Sequence, residues 1–405
     1  MKLKEIARNF KFLFWVNSKI RSYQLKWDLA RLAGDYNAKA LAKNFVYDAS
    51  EAVLEFKRRH KLYQPNFSAR VPGDLRVFWV GTSQSQDESG FLQSLQRICT
   101  VTTFSNIDGE YGIWSGNKNA INVPSFDEVR ETNAQMLLSQ VTRTMEEGGL
   151  DLLLGQMWGR LIPKETLKKI QSMGIPVINI SMDDRLPDLW SHRHGVHLGS
   201  VGLASGIDMM LTTSPETCSW FGVENCPALF WPLASDPDVY APVLGEFRDI
   251  DVLFIGNKYG IRGQIIRFLE RRGLNVDCYG DGWPNGHIDA KKMASLSKRA
   301  RIILGVGTVG HCADVYTLKL RDFDALMAGA LYLTHRNPDL CQLFREGEEI
   351  EFYESPAEAY RKICKYIGSA DERIRIGQNG QQKAILKHTW DKRLTATFRQ
   401  LGLIQ

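Results

Sequence analysis

Two rhythms of apolar residues organise this chain. Over residues 1–62, Leu3, Ile6, Phe10, Leu13 and Phe14 recur every three or four positions with Lys and Arg between them, the spacing of amphipathic helices. Residues 65–73 then read as a linker between Pro65 and Gly73. From Leu75 the rhythm changes. Short continuous apolar runs at 75–80, 101–104, 150–154, 177–180, 209–212 and 228–231 read as buried parallel strands, with a polar loop at 81–90 and a helix at 91–98. Residues 232–245, rich in Pro, Asp and Ala, break both rhythms and read as a connection between domains. A second series follows, with strands at 251–255, 276–279, 302–306 and 330–334 and helices at 261–271, 290–300, 318–328, 357–367 and 370–387. Strands alternating with helices imply parallel sheets covered on both faces. The expected fold class is α/β: two Rossmann-like domains facing across a cleft, with an extra helical segment in front. The expected boundaries are 1–70 for the basic helical segment, 71–240 and 246–385 for the two domains, and 386–405 for a helix crossing back to the first domain.

Length and composition fit this picture. A chain of 405 residues exceeds what one core holds, and 44% hydrophobic with 24% charged residues is ordinary for a globular protein. No run of 18 apolar residues is present to span a bilayer, and the apolar stretch at 11–16 is too short for a signal-peptide core. Seven Cys without a Cys-x-x-Cys pair suggest reduced thiols in a cytoplasmic protein. The net charge of +5 conceals an asymmetry: residues 1–70 hold 15 Lys and Arg against 6 Asp and Glu, a net of +9, so the remainder carries 5 − 9 = −4. A basic segment is drawn to phosphate surfaces, whether an anionic membrane or nucleic acid. A solvated helical face is the plain alternative. For the apolar stripe of residues 1–62, packing onto the rest of the protein is favoured over lying on a membrane surface; between the two phosphate surfaces, a peripheral contact at the inner membrane face is favoured over nucleic acid.

Candidate chemistry gathers at the ends of the second-domain strands, where α/β folds bind ligands. Residues 317–334 read as a helix, a Gly stop and a strand. Thr317 and Leu318 open that helix, Lys319 and Arg321 make its start cationic, and Asp324 follows within two turns. Free N–H groups and cations at a helix start suit a diphosphate, and an acid further along can grip sugar hydroxyls, which points to a nucleotide-sugar site. Thr317 is a candidate cap or phosphate contact. Gly256, Asn257, Lys258 and Arg262 follow the strand 251–255 and open onto a helix; Tyr279 and Gly280 end the next strand and are candidates to border a base, an ordinary strand–turn being the alternative. In the first domain, Gly81 and its neighbours lie at a strand end. Asp183 and Asp184 follow the strand 177–180, placed to orient an acceptor hydroxyl or to take its proton.

Three motifs are decoys. Gly305-Val-Gly-Thr-Val-Gly310 matches the dinucleotide fingerprint, yet no helix opens after it and it lies far from the start of either domain, so a Gly-rich donor loop is the better reading. Asp236-Pro-Asp238 matches a metal-binding pair but sits in the connection and reads as a turn. His192, His194 and His197 have no Cys or carboxylate at ligand spacing in their motif, and a polar loop is favoured over zinc.

Several motifs in the second half together resemble the group 1 glycosyltransferases, most closely the branch typified by spore maturation protein CgeB. They are Asp251-Val-Leu-Phe-Ile-Gly-Asn257, Tyr279-Gly-Asp-Gly-Trp283, Ala300-Arg-Ile-Ile-Leu-Gly-Val306, the run from Arg321 to Thr334, the run from Pro338 to Ile350, and His388-Thr-Trp390. Asp87-Glu-Ser-Gly-Phe-Leu and Ile178-Asn-Ile-Ser-Met-Asp-Asp184 extend the resemblance more weakly over 75–245; residues 1–70 have no part in it. The resemblance implies the GT-B fold. It also implies a nucleoside-diphosphate sugar on the second domain, an acceptor over the first, and no cofactor or metal ion, with basic side chains and helix dipoles neutralising the leaving diphosphate; the expected acceptor is a glycan or another cell-envelope precursor, and the basic charge of residues 1–70 points to one that is lipid-linked. Lys258 and Arg262 resemble the family's diphosphate clamp. Lys319 and Arg262 are thereby expected to serve catalysis through charge, with Asp183 as base or orienting acid. Asp324 stands where the family usually has a Glu for the ribose, and Tyr316 where it has a second Glu near the donor sugar. The implied activity is a hexosyltransferase-like reaction in polysaccharide biosynthesis. A nucleotide-sugar binding protein without turnover and a DNA-modifying glycosyltransferase are the alternatives.

Overall fold

The computed structural model describes the backbone of residues 2–116, 124–242, 247–310, 312 and 314–405, and the side chains in those ranges from residue 19 onward. The stripe expected at Leu3 to Phe14, the last linker positions 243–245, and His311 and Ala313 lie outside the described side chains or residues. The chain divides into two compact units: Ala33–Pro232 with Trp390–Gln405, and Met1–Leu32 with Leu233–Thr389.

The first unit opens with α1 (Lys2–Ala42), whose residues from Ala33 belong here, and α2 (Ala49–Tyr63), capped by the Asp48 carboxylate on the Ser50 amide. Then come β1 (Leu75–Val80), α3 (Gln84–Asp87), α4 (Phe91–Ile98), β2 (Cys99–Thr103), α5 (Phe126–Gly148), β3 (Leu152–Gly155), α6 (Lys164–Ser172) and β4 (Val177–Ser181). A small antiparallel hairpin of β5 (His192–Arg193) and β6 (Val196–His197) follows, then β7 (Met209–Thr212), α7 (Thr217–Val223) and β8 (Ala228–Phe230). Six strands form one parallel sheet in the order β2-β1-β3-β4-β7-β8. The strands β3, β4 and β7 are buried throughout, as continuous apolar runs in a covered sheet require. The polar loop expected at 81–90 holds α3. The strand β2 starts two residues earlier than its apolar run, because Cys99 already pairs with Leu75 at the sheet edge. Last in sequence, α15 (Trp390–Leu401) sets the Trp390 ring 5.2 Å from Phe91 and 5.6 Å from Trp231, and Ile404 pairs in parallel with Arg70.

The second unit contains α8 (Pro237–Tyr240), β9 (Ile250–Ile255), α9 (Arg262–Glu270), β10 (Asp277–Tyr279), α10 (Ala290–Arg299), β11 (Ala300–Leu304), α11 (Leu320–Met327), β12 (Leu331–His335), α12 (Pro338–Leu343), β13 (Glu351–Tyr353), α13 (Pro356–Gly368) and α14 (Ala370–Lys387). Its five parallel strands run β10-β9-β11-β12-β13. The core interleaves Val252, Phe254, Ile302, Leu304, Leu331 and Leu333 of the sheet with Ile265, Ile266 and Leu269 of α9 and Ile363 of α13. Here β11 begins at Ala300 rather than 302, since Ala300 pairs with Ile250 and leaves no loop after α10. In both sheets the chain starts at an inner strand, goes to one neighbour, then returns to the other side. The strand order therefore reverses between β1 and β3 in one unit and between β9 and β11 in the other, and a parallel sheet binds ligands at that crevice.

Leu333 is fully buried in the second core. Leu333→Ala is expected to lower stability by about 2–5 kcal/mol, read as an earlier midpoint in chemical denaturation.

Candidate functional site

At the reversal point of the second unit, β9 ends in Ile255 and the backbone turns at Gly256 with φ 146°. The next strand, β10, ends in Tyr279, and Gly280 turns with φ 123°. These two turns touch. The Gly256 amide donates to the Tyr279 carbonyl at 2.8 Å, and a Cβ on Gly280 would stand 2.6 Å from the Gly256 carbonyl carbon. Only glycine permits this approach at these dihedrals. Further bonds lock the turns together: Lys258 N–H to Asp281 O at 2.8 Å, Asp281 N–H to Asn257 Oδ1 at 3.0 Å, and Trp283 Nε1–H to Gly256 O at 2.7 Å. The Lys258 ammonium lies 4.8 Å from the centre of the Trp283 ring.

Two guanidinium groups reach the same spot. A Cβ on Gly256 would run into Arg321 Nη2 and lie 3.3 Å from Arg262 Nη1. Arg262 begins α9, donates from Nη1 to Asn257 O at 2.9 Å, and stacks 4.1 Å from the Tyr259 ring centre. Both guanidiniums also approach the Phe254 ring, at 5.9 Å for Arg262 and 5.3 Å for Arg321. Arg321 makes no ion pair among the described residues. Arginine keeps its charge at any ordinary pH, so the spot is cationic.

The acids beside it are held towards neutrality. Asp324 on α11 is buried, and desolvation pushes its carboxyl up to about 8 even though the Ser235 hydroxyl donates to Oδ1 at 2.7 Å. Burial likewise raises Asp322, which accepts from the Tyr332 hydroxyl and from the Lys319 amide at 2.8 Å. Near pH 7 the Asp324 carboxyl therefore does not cancel the arginine charge.

Of the residues expected at the donor site, the structure brings Gly256, Asn257, Lys258, Arg262, Tyr279, Gly280 and Arg321 together. The remainder of the expected set is placed differently. The helix α11 starts at Leu320, and Lys319 is its N-cap in extended backbone, with Asp322 capping the Lys319 amide. Thr317 and Leu318 precede the helix and are buried; the Thr317 amide donates to Gly307 O at 3.1 Å and its hydroxyl to the Leu318 carbonyl at 3.4 Å. The capping role expected of Thr317 thus falls to other groups, because its own amide is drawn into pairing with the Gly305–Gly310 segment. The Asp324 carboxyl, expected on a ribose, is turned to buried Ser235.

After Gly307 the chain folds back on itself, with Thr308 bridging Tyr316 and the Val309 amide donating to Val315 O, so no helix opens there. Asp236 caps the short helix α8. His192 and His197 pair across the β5–β6 hairpin, and no metal-holding group of side chains occurs among the described residues.

In the first unit, Asp183 follows β4 in left-handed backbone with φ 63° and is half-buried. Its neighbour Asp184 is fully buried, takes hydroxyls from Ser181 and Thr212 at 2.6 Å each, and is pushed up to about 7 by desolvation. Asp184 therefore props the interior, which leaves Asp183 as the acid of the pair nearer solvent. Residue-by-residue reading passed over Asp87 as a site residue. Its Oδ2 accepts from the Tyr111 hydroxyl at 2.6 Å and from Trp79 Nε1–H at 3.2 Å, beside Gly81 at the end of β1, and burial pushes it up to about 6. Its place in the Asp87-Glu-Ser-Gly motif was the available signal. Asp322 was hidden in the same way, inside the 321–324 run.

Two parallel sheets in these strand orders make up the GT-B fold, and solved glycosyltransferases share it. Sucrose-phosphate synthase from Thermosynechococcus elongatus superposes with a TM-score of 0.56 at 11% identity over 81% of this chain and 99% of its own. A glycosyltransferase from Rickettsia africae gives 0.55 at 7% identity over 81% and 98%. HepE from Anabaena, solved in complex with UDP-glucose, gives 0.54 at 10% identity over 80% and 100%. Residues 262–399, from Arg262 through α11 to α15, match the family described as glycosyl transferase-like. No curated protein matches the sequence of the chain.

Two outcomes test this geometry. Gly280→Ala is expected to part the two turns, read as a lower melting temperature than that of the wild type. Asp324 binds its proton in the folded state up to about pH 8 but in the unfolded chain only up to the ordinary carboxylate value of 3.8. It therefore costs stability progressively as pH rises through that window and costs nothing below it. Asp324→Asn should flatten the fall in melting temperature between those limits; an unchanged slope would show that the carboxyl ionises freely.

Proposed function

We propose that this chain is a metal-independent glycosyltransferase of the CgeB-like branch, moving a hexosyl group from a nucleoside-diphosphate sugar to a glycan or cell-envelope acceptor in the cytoplasm. The observation that carries the reading is the meeting of Arg262 and Arg321 at Gly256, at the reversal point of the sheet, beside acids held towards neutrality. When the bond between the anomeric carbon and the phosphate oxygen breaks, negative charge grows on the departing diphosphate. Fixed guanidiniums that need no reorganisation stabilise that charge, and this is the largest contribution a protein usually makes to such a step. The loop Gly256–Arg262 and the start of α9 would cradle the phosphates through backbone amides. Tyr279 and Gly280 would border the base. Lys319 adds a second cation at the start of α11, and Asp183 is proposed as the acid that orients the acceptor hydroxyl or takes its proton. HepE, a fold neighbour, was solved with UDP-glucose, which makes uridine nucleotides the first ligands to try. The basic charge of residues 1–70 favours an acceptor carried on lipid.

Arg321→Ala is expected to lower turnover about 10²–10³-fold and to remove the rise in melting temperature that UDP causes in the wild type. A variant with wild-type turnover and an unchanged UDP shift would move the diphosphate elsewhere. Tyr316, in place of the family's Glu, favours a second reading as a nucleotide-sugar binding protein. Tight UDP-glucose binding without transfer or hydrolysis, across a broad acceptor panel, would select it.

A further inference from the structure

The helix α1 treats its large side chains in two ways. Tyr36 is buried, with Trp190 5.0 Å and Trp220 5.4 Å from its ring. Ile20, Tyr23 and Trp27 are 58%, 71% and 62% exposed. Steps of three and four residues set these three on one strip of the helix. Lys19, Arg21 and Arg31 are exposed around it, and the Arg31 guanidinium lies 4.8 Å from the Trp27 ring centre. Lys26 has another task, since its ammonium pairs with Asp314 and fastens the helix to its own unit. A contiguous exposed apolar strip with aromatic members marks a contact surface, and Trp and Tyr suit one that is half wet.

Charge selects the occupant. Residues 1–70 carry a net +9, and between residues 2 and 31 eight Lys and Arg face two Asp and Glu. A second copy of the chain would bring an equally positive face against this one. An anionic bilayer offers the opposite sign together with an apolar layer beneath it. No described helix is long and apolar enough to cross a membrane, so the contact lies along the surface. We propose that α1 docks on an anionic phospholipid bilayer, with Ile20, Tyr23 and Trp27 entering the interface and Lys19, Arg21 and Arg31 on the headgroups. The contact deepens the proposed use of a lipid-linked acceptor and rests on that reading for its purpose, though not for its test.

The test is co-sedimentation of the full chain with vesicles of phosphatidylcholine alone and of equal parts phosphatidylcholine and phosphatidylglycerol. The wild type is expected to pellet with the mixed vesicles, to stay in solution with phosphatidylcholine alone, and to be released by salt. The triple variant Ile20→Ala, Tyr23→Ala, Trp27→Ala should bind at least about tenfold more weakly, with its melting temperature and UDP response unchanged. Lys19→Gln with Arg21→Gln, a pair outside the strip itself, should weaken binding and its salt dependence. Three outcomes would overturn the proposal: wild type that ignores the mixed vesicles, a triple variant that binds them as well as the wild type, or wild type that sediments as a dimer which the triple variant converts to monomer. The last would assign the strip to self-association. Loss of the UDP response in the wild type would count against the transferase reading alone.

Discussion

Two backbone turns without side chains, pressed together at the end of a parallel sheet, are the constraint on which the candidate site depends. Because Gly256 and Gly280 meet directly, the ends of β9 and β10 lie flush, and the Gly256 carbonyl accepts from Trp283 while Asn257 ties down Asp281. The floor left at Gly256 is bare backbone, and the guanidiniums of Arg262 and Arg321 close over it. Any Cβ at Gly256 would meet a cation and any Cβ at Gly280 would meet backbone. The site is thus defined by an excluded volume as much as by its charges.

The electrostatics follow from burial. A carboxylate in contact with an arginine normally pairs with it and neutralises it. In this unit Asp322 and Asp324 lie beside the cations but deep enough that desolvation outweighs the attraction, so their oxygens serve Tyr332 and Ser235. The helix α11 thereby offers its arginine outward and keeps its acids for the interior. The first unit repeats the pattern with Asp87 and Asp184, each raised by burial and each occupied by hydroxyl or indole donors near the end of a strand.

What could be read from the residues was whatever depends on short-range chemistry. The run 75–80, the helices 91–98 and 370–387 and the strand 209–212 appear with the bounds their apolar rhythm suggests, because Gly, Pro or a change of period punctuates each. Seven of the expected donor-site residues converge because each lies at or just past a strand end, or in the first turn of a helix that follows one, and the strand order does the rest. Long-range choices escaped. The helix α11 starts late because the Thr317 amide is taken by Gly307, ten positions back through a fold-back that no periodicity announces. The direction of the Asp324 carboxyl depends on Ser235, 89 residues earlier. Whether Asp183 or Asp184 faces solvent was settled by Ser181 and Thr212, which claim only the second of two adjacent identical side chains.

The first unit is assembled from residues far apart in the chain, since Trp390 covers Phe91 and Trp231 and Ile404 pairs beside Arg70. During synthesis, everything from β1 to β8 leaves the ribosome well before those partners exist. A domain completed so late cannot simply fold first, as upstream domains usually do. The face of Phe91 that Trp390 covers stays open until the whole second sheet has been translated.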